Sequence, residues 1–261
     1  VVQALTEELA KTGIEGLDEV LGGGIPRGRC ILVVGGPGTG KTILGAQFIY
    51  NGAKKYGEKG LIVTLEEGAP ILKADLRKLG FDLDELENEG LIKIIDHSVV
   101  NYLPSEKFRE LVKFMDMPVF KAASLLETLK NTIKSLGASR VVIDSISALT
   151  FQVADPVERR LHTMLIFKTL LDSGCTSIVI SEAKTSQLER EFIFEEYLAD
   201  GVIVLQNIYQ EGNLVKCVYV EKMRGASHDT QPRPYRIDYG GIMVFPKERV
   251  FASFNPFSGG V

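Results

Sequence analysis

The run Gly35-Gly36-Pro37-Gly38-Thr39-Gly40-Lys41-Thr42 constrains this chain more than any other stretch. It fits the pattern of glycine, four residues, glycine, lysine, then serine or threonine. Before it, Cys30 to Val34 is a short apolar run, and after it Thr42 to Tyr56 spaces Leu44, Phe48 and Ala53 for a helix. Strand, glycine turn and helix in that order let backbone N–H groups turn inward around phosphate oxygens, with the positive end of the helix behind them. Gly36, Pro37, Gly38, Thr39, Gly40, Lys41, Thr42 and Ile43 are therefore the expected nucleotide-binding residues. Lys41 supplies a point charge toward the β and γ phosphates, and Thr42 supplies a hydroxyl to magnesium. ATP and Mg2+ are the ligands this pattern calls for.

The alternation continues beyond that turn. Leu61 to Leu65 reads as a strand, Ile71 to Leu79 as a helix stopped by Gly80, and Leu91 to Ile95 as a strand. Ala122 to Leu136 is amphipathic through Leu125, Leu126, Leu129 and Ile133, and leads to an apolar strand at Arg140 to Ile143. Pro156 to Ser173 is a helix with proline in its first turn, followed by a strand at Ser177 to Ser181. This order predicts an α/β fold with a mostly parallel central sheet and helices on both faces. After Ser181 the pattern changes. Val202 to Gln206, Val215 to Lys222 and Pro234 to Asp238 alternate or run apolar between turns at Glu211-Gly212-Asn213 and Tyr239-Gly240-Gly241, so an antiparallel, β-rich C-terminal end is expected. Residues 97–120, with Pro104 and Pro118 among mixed charges, interrupt the rhythm as an insertion on the rim of the sheet. No linker divides the chain, so residues 1–261 are expected to form one domain, with 1–11 as a lead-in and 247–261 as a tail.

Composition narrows the class. Of 261 residues, 45% are apolar and 25% charged, enough for a sizeable core. No stretch of about 18 uncharged apolar residues appears, and the first twenty residues lack a basic start followed by an apolar run. Neither a membrane span nor secretion is expected. Cys30, Cys175 and Cys217 are odd in number and set in apolar runs, where cysteine is a small buried hydrophobe, and a reducing cytoplasm fits them. The net charge of −4 offers nucleic acid no general attraction.

Two more elements of phosphate chemistry are legible. Val141-Val142-Ile143-Asp144 is an apolar strand whose terminal carboxylate is placed to reach the magnesium shell, so Asp144 joins Thr42 as a metal-site residue. Hydrolysis also needs a group that orients or deprotonates water, and the residue after Asp144 is Ser145. The base must come from elsewhere. The run Leu61 to Leu65 delivers Glu66 and Glu67 to the carboxyl edge of the sheet, where open α/β sheets bind ligands. Either can be the base, with the other orienting its surroundings.

This arrangement resembles the RecA-like P-loop ATPases, and the flanking sequence resembles the KaiC family among them. The resemblance rests on Thr12 to Gly28 before the loop, Gln47-Phe48-Ile49-Tyr50-Asn51-Gly52 after it, Leu65-Glu66-Glu67, and Lys222-Met223-Arg224-Gly225-Ala226-Ser227-His228. It spans about Thr12 to Pro246. It implies a homo-oligomeric, hexameric ring in which Lys222, Met223, Arg224 and His228 are offered to a neighbour's nucleotide, with Lys222 and Arg224 as catalytic cations beside Lys41, Glu66 and Glu67. By the same resemblance the adenine or ribose meets Asp238 and Tyr239, and more loosely Arg77 and Lys78, while Ser181 and Glu182 sense the γ-phosphate. Where the autokinase half of circadian members has adjacent Ser and Thr acceptors, this chain has Glu196 and Tyr197, which argues against autophosphorylation there.

The expected function is Mg-dependent ATP hydrolysis coupled to assembly or to binding of an unidentified protein partner. A DNA-acting recombinase or helicase-type motor is an alternative. It would need basic or glycine-rich loops, whereas Ala183 to Leu198 sets Glu189, Glu191, Glu195 and Glu196 against Lys184 and Arg190. An autokinase and a scaffold with negligible turnover are the remaining alternatives. His97 and His162 lack a catalytic context, and Phe251, Phe254 and Phe257 are apolar residues of the tail.

Overall fold

In the computed structural model, the described residues are 8–98, 122–148, 153, 155–182, 185–186, 189–190, 192–210 and 212–250. Most of the 97–120 insertion and the tail phenylalanines lie outside them, as do residues 1–7.

The chain opens with a short antiparallel pair, β1 (Leu9–Ala10) and β2 (Ile25–Pro26), around a helical turn α1 (Leu17–Val20). Asp18 ties this lead-in together, accepting from the Thr12 N–H at 2.7 Å, the Thr12 hydroxyl at 2.7 Å and the Gly13 N–H at 3.1 Å. Then come β3 (Cys30–Gly35), α2 (Lys41–Tyr56), β4 (Gly60–Thr64), α3 (Ala69–Lys78), α4 (Leu83–Asn88) and β5 (Ile92–Asp96). The later elements are α5 (Ala122–Leu136), β6 (Arg140–Asp144), α6 (Pro156–Ser173) and β7 (Thr176–Glu182). A small hairpin, β8 (Thr185–Ser186) and β9 (Glu189–Arg190), precedes α7 (Phe194–Leu198). The chain closes on β10 (Gly201–Gln210), β11 (Asn213–Met223), β12 (Arg233–Asp238) and β13 (Gly241–Val244).

The main sheet has nine strands in the order β13-β12-β11-β10-β3-β7-β6-β4-β5. Strands β10, β3, β7, β6, β4 and β5 are parallel, and β10, β11, β12 and β13 follow one another antiparallel. The parallel strands are apolar on both faces, as a sheet covered on both sides requires. Ile31, Val33, Ile62, Val142, Ile178 and Ile180 join one core with Leu44 and Phe48 of α2 and Leu72 and Leu76 of α3. Leu32, Val34, Leu61, Val63, Val141 and Val179 join the other with Leu125 and Leu129 of α5 and Phe167 and Leu170 of α6. Helix α2 lies so close to the sheet that a Cβ on Gly45 would come within 2.9 Å of Val142 Cγ1.

The expected strands and helices of the parallel half are present within a residue or two of their expected limits. The mostly parallel sheet and the antiparallel C-terminal end are both observed. Elements not anticipated are short or local: β1, β2, α1, α4, β8, β9, α7 and the closing strand β13. All three cysteines are buried, and burial pushes their thiols up, that of Cys217 to about 12. Among the described residues, no helix is long and apolar enough to cross a membrane.

Candidate functional site

Strand order builds the site. Strands β3, β7, β6 and β4 are neighbours, although β3 leads through α2 directly to β4. The register pairs Gly35 with Glu182 and Thr64 with Asp144. One edge of the sheet therefore carries, in spatial sequence, the glycine loop, Glu182, Asp144 and the Leu65-Glu66 segment. This is the carboxyl edge, and β3 and β4 part there to admit β7 and β6, as at the ligand crevice of open α/β sheets.

The loop itself bends through Gly38 and Gly40, with φ of 71° and 87°, angles that side chains rarely adopt. Nothing lies within 4 Å of a Cβ built on Gly38, so the loop apex is open. Its carbonyls are taken up by side chains. The Gly36 carbonyl accepts from the Thr39 hydroxyl at 2.8 Å and from Lys41 Nζ at 2.9 Å. The Gly38 carbonyl accepts from Lys216 Nζ at 2.6 Å, and the Thr39 carbonyl from the Tyr235 hydroxyl. Helix α2 begins at Lys41.

Burial lowers the proton affinity of the Lys41 ammonium, and the carboxylates of Glu182, Asp144 and Glu66 partly restore it. Asp144 has the complementary problem. Burial pushes its carboxyl up to about 6 against the hydrogen bond from Thr42, with Glu66 adding repulsion and Lys41 attraction. Thr42 and Asp144 thus present adjacent oxygens in a site that disfavours further negative charge. That donor set suits a hard cation that keeps most of its waters and takes its other ligands from phosphates.

The two glutamates differ. Glu66 accepts from the Ser145 hydroxyl at 2.7 Å, and its charge acts on Lys41. Glu67 is raised by burial and then by Asp75 of α3, and its carbonyl accepts from the Thr64 hydroxyl. Both glutamates act on Asp144, Glu66 ahead of Glu67, and Glu66 acts on the loop lysine as well. Ser181 and Glu182 stand beside them: the Ser147 and Ser181 hydroxyl oxygens are 3.3 Å apart, and the Glu182 N–H donates to Ser147 Oγ at 2.8 Å.

The β12–β13 turn brings Asp238 and Tyr239 to the loop side of the molecule. A Cβ on Gly40 would meet Ile237 Cδ1 at 2.6 Å. Gln47 of α2 holds the hairpin through the Gly240 and Ile242 carbonyls, each at 3.2 Å, and the Gly240 N–H donates to Leu79 at the end of α3 at 2.8 Å. Tyr239 is 82% exposed, and Asp238 pairs with Arg236 at 2.7 Å. Arg77 is occupied with Asp82 and Asp84, and Lys78 with Asp75.

The late motif lies apart from all of this. Met223 pairs with Gly201, which pairs with Ile31, and Lys222 pairs with Val202, which pairs with Leu32. With strand rise and spacing taken together, Lys222 is on the order of 15 Å from the loop of its own chain, toward the opposite edge of the sheet. Its ammonium donates to the carbonyls of Glu196 at 3.0 Å and Ala199 at 2.6 Å, at the end of α7. Burial, then Arg224, lowers its proton affinity. Arg224 is half exposed and 3.7 Å from Asp200, a buried carboxylate that also receives the Cys30 N–H. The Met223 side chain belongs to the core, and a Cβ on Gly201 would meet its sulfur at 2.8 Å. Any ligand contact at that position therefore falls to its backbone. His228 lies in a loop against the lead-in, where the Asp229 N–H donates to the Val20 carbonyl at 2.9 Å.

Sequence reading missed Ser145 as the partner of Glu66, and Lys216 and Tyr235 as supports of the loop. Ser145 could have been found as the polar residue directly following Asp144. Lys216 and Tyr235 carried no signal, being remote in sequence. His97 is half-buried, which lowers its proton affinity, and its backbone N–H donates to the Thr64 carbonyl at 2.9 Å, just before the Leu65-Glu66 segment. His162 sits 3.8 Å from Glu158 on α6.

Comparison with known proteins gives a consistent result. The sequence model of the KaiC ATPase matches residues 10–249. A UPF0273 protein of Aeropyrum pernix is 36% identical over 240 residues, covering 92% of this chain and 94% of its own. One from Thermotoga maritima is 36% identical over 241 residues, covering 91% and 96%. The crystal structure of a KaiC-like protein from Pyrococcus horikoshii superposes with a TM-score of 0.79 at 34% identity, covering 92% of this chain and 99% of that one.

Proposed function

Because this chain belongs to the KaiC ATPase family, we propose that it is a Mg-dependent ATP hydrolase whose active site is completed by a second copy of itself in a hexameric ring. The observation that carries this reading is the division of the expected residues between two edges of one sheet. Gly36 to Ile43, Asp144 and Glu66 gather at one edge. Lys222 and Arg224 sit toward the other, too far to reach the loop of their own chain.

At the loop, inward N–H groups and Lys41 bind the triphosphate, and Thr42 and Asp144 hold magnesium. When bound, the ion neutralises phosphate charge as it shifts toward the leaving group. Glu66 is the better placed base: it faces Lys41, and the Ser145 hydroxyl fixes its carboxylate. It orients a water toward the γ-phosphorus and takes a proton from it. Glu67, whose charge also reaches Asp144, supports the segment through its carbonyl on the Thr64 hydroxyl. Lys222 and Arg224 of one subunit approach the γ-phosphate held by the next, where fixed cations stabilise the charge of phosphoryl transfer. His228, the Met223 backbone, Asp238 and Tyr239 contribute to the nucleoside side, and the ring passes its nucleotide state on to assembly or to a protein partner.

The test is phosphate release alongside nucleotide binding for wild type and Glu66→Gln. The variant is expected to bind ATP as wild type does and to lose turnover about 100-fold or more. An unaltered turnover number would remove Glu66 from the reaction.

A further inference from the structure

Four donors hold carbonyls of the phosphate loop, and they come from two sources. Thr39 and Lys41 belong to the loop and bond the Gly36 carbonyl. Lys216 and Tyr235 belong to the antiparallel strands β11 and β12, 178 and 196 residues away in sequence, and bond the carbonyls of Gly38 and Thr39. Fixing the carbonyl of a planar peptide fixes the direction of that peptide's own N–H, so the ties on Gly38 and Thr39 set the orientation of the Thr39 and Gly40 N–H groups at the loop.

Lys216 is not a loosely tethered surface lysine. It sits opposite Asn207 in the β10–β11 ladder, and the Asn207 side-chain oxygen accepts from its ammonium at 3.2 Å, so the chain is aimed from both ends. Its position in that ladder follows from β10 pairing with β3: Leu205 stands beside Gly35, and Asn207 and Lys216 lie just past the point where β3 gives way to the loop. The ammonium is partly desolvated, which strengthens its bond to the Gly38 carbonyl and its field at the apex.

We propose that Lys216 is a positioning residue for the ATP phosphates, a second lysine in the same chain that sets the orientation of the loop apex through Gly38. Tyr235 does the same for Thr39. The inference rests on ATP being the ligand of the loop. It assigns the antiparallel extension a task at its own subunit's nucleotide, separate from the cations it carries toward the neighbour. The energetic logic is preorganisation: a Cβ on Gly38 would meet nothing within 4 Å and the residue is conformationally permissive, so without the Lys216 tie the apex samples orientations that aim its N–H groups elsewhere.

The experiment uses the full chain as wild type, Lys216→Gln, Lys216→Met and Lys216→Arg. It measures ATP and ADP affinity, KM and kcat for phosphate release, and the thermal midpoint without nucleotide. Loss of one charge-assisted bond to the loop is expected to weaken both nucleotides and raise KM about tenfold in the Gln and Met variants. Their kcat is expected to stay within about threefold of wild type, and Arg to restore most of the affinity. A general packing defect would lower the thermal midpoint and kcat together and would not respond to arginine, and that pattern overturns the proposal. So does wild-type affinity in both Gln and Met variants, which leaves the ATP reading intact. A wild type that binds neither nucleotide contradicts the ATP reading itself.

Discussion

The parallel and antiparallel halves of the sheet solve different problems. The parallel strands β3, β7, β6 and β4 end side by side, so the glycine loop, Glu182, Asp144 and the Leu65-Glu66 segment lie along one edge. Of the antiparallel strands, β10 and β11 are long, at 10 and 11 residues, and the extension has something to offer at each end. Near the loop they supply Lys216, Tyr235 and the β12–β13 hairpin. At the far end they supply Lys222 and Arg224, held by the α7 carbonyls and by Asp200. A parallel sheet gathers residues of one subunit at one place, whereas an antiparallel extension spans the subunit and can connect its own site with the next.

Four substitutions sharpen that contrast. The largest effect is expected at Arg224→Ala and Lys222→Ala. If each removes a cation from the γ-phosphate of a neighbour, turnover falls about 1000-fold while nucleotide affinity changes little, as read by phosphate release and equilibrium binding. Loss of affinity in place of turnover would return these residues to a structural role.

A smaller effect, and one confined to the parallel half, is expected at Asp144→Asn. Burial raises the Asp144 carboxyl from an ordinary value near 3.8 to about 6 in the folded chain, so between those values the folded state binds more protons than the unfolded state. Stability is then greatest below about pH 4 and declines as pH rises to about 6. Asn lacks that decline and should stabilise the nucleotide-free protein at neutral pH by about 1–3 kcal/mol. Chemical denaturation at pH 4 and pH 7.5 reads the difference, and the same variant is expected to lose magnesium-dependent turnover. A pH-independent difference would mean that Asp144 is not strained by its surroundings.

The smallest effect is expected at Arg77→Ala. Arg77 is exposed and occupied with Asp82 and Asp84, and surface pairs contribute little. ATP affinity should change by less than about twofold, and a tenfold loss would place the ribose or base against α3.

What the sequence could show follows the same division. The loop, Asp144 and Glu66 were legible because each sits at the end of a buried apolar strand, where period and motif coincide. The different surroundings of Glu66 and Glu67 were not, since adjacent carboxylates look alike until Ser145 and Asp75 are placed around them. In the antiparallel half most strands and turns were readable, but β13 is only four residues long; in the parallel half α4, a six-residue polar helix started by the Asp82 cap, escaped for the same reason. The positions of Lys222 and Arg224 relative to the loop depend on the register of β10 against β3 and β11, which no local pattern encodes. Family resemblance named these residues, and sheet register explains why their own subunit's loop is out of reach.

The central claim, a site divided between subunits, is tested most directly by mixing two inactive proteins. Glu66→Gln keeps its cations but lacks the base; Arg224→Ala keeps the base but lacks a cation. If neighbours complete each other's sites, mixed rings contain pairings in which an intact loop and Glu66 face an intact Arg224, and phosphate release rises well above that of either protein alone. If the mixture releases phosphate only at the average of the two inactive rates, while size measurement shows that mixed rings have formed, each site is complete within one chain and the account is wrong.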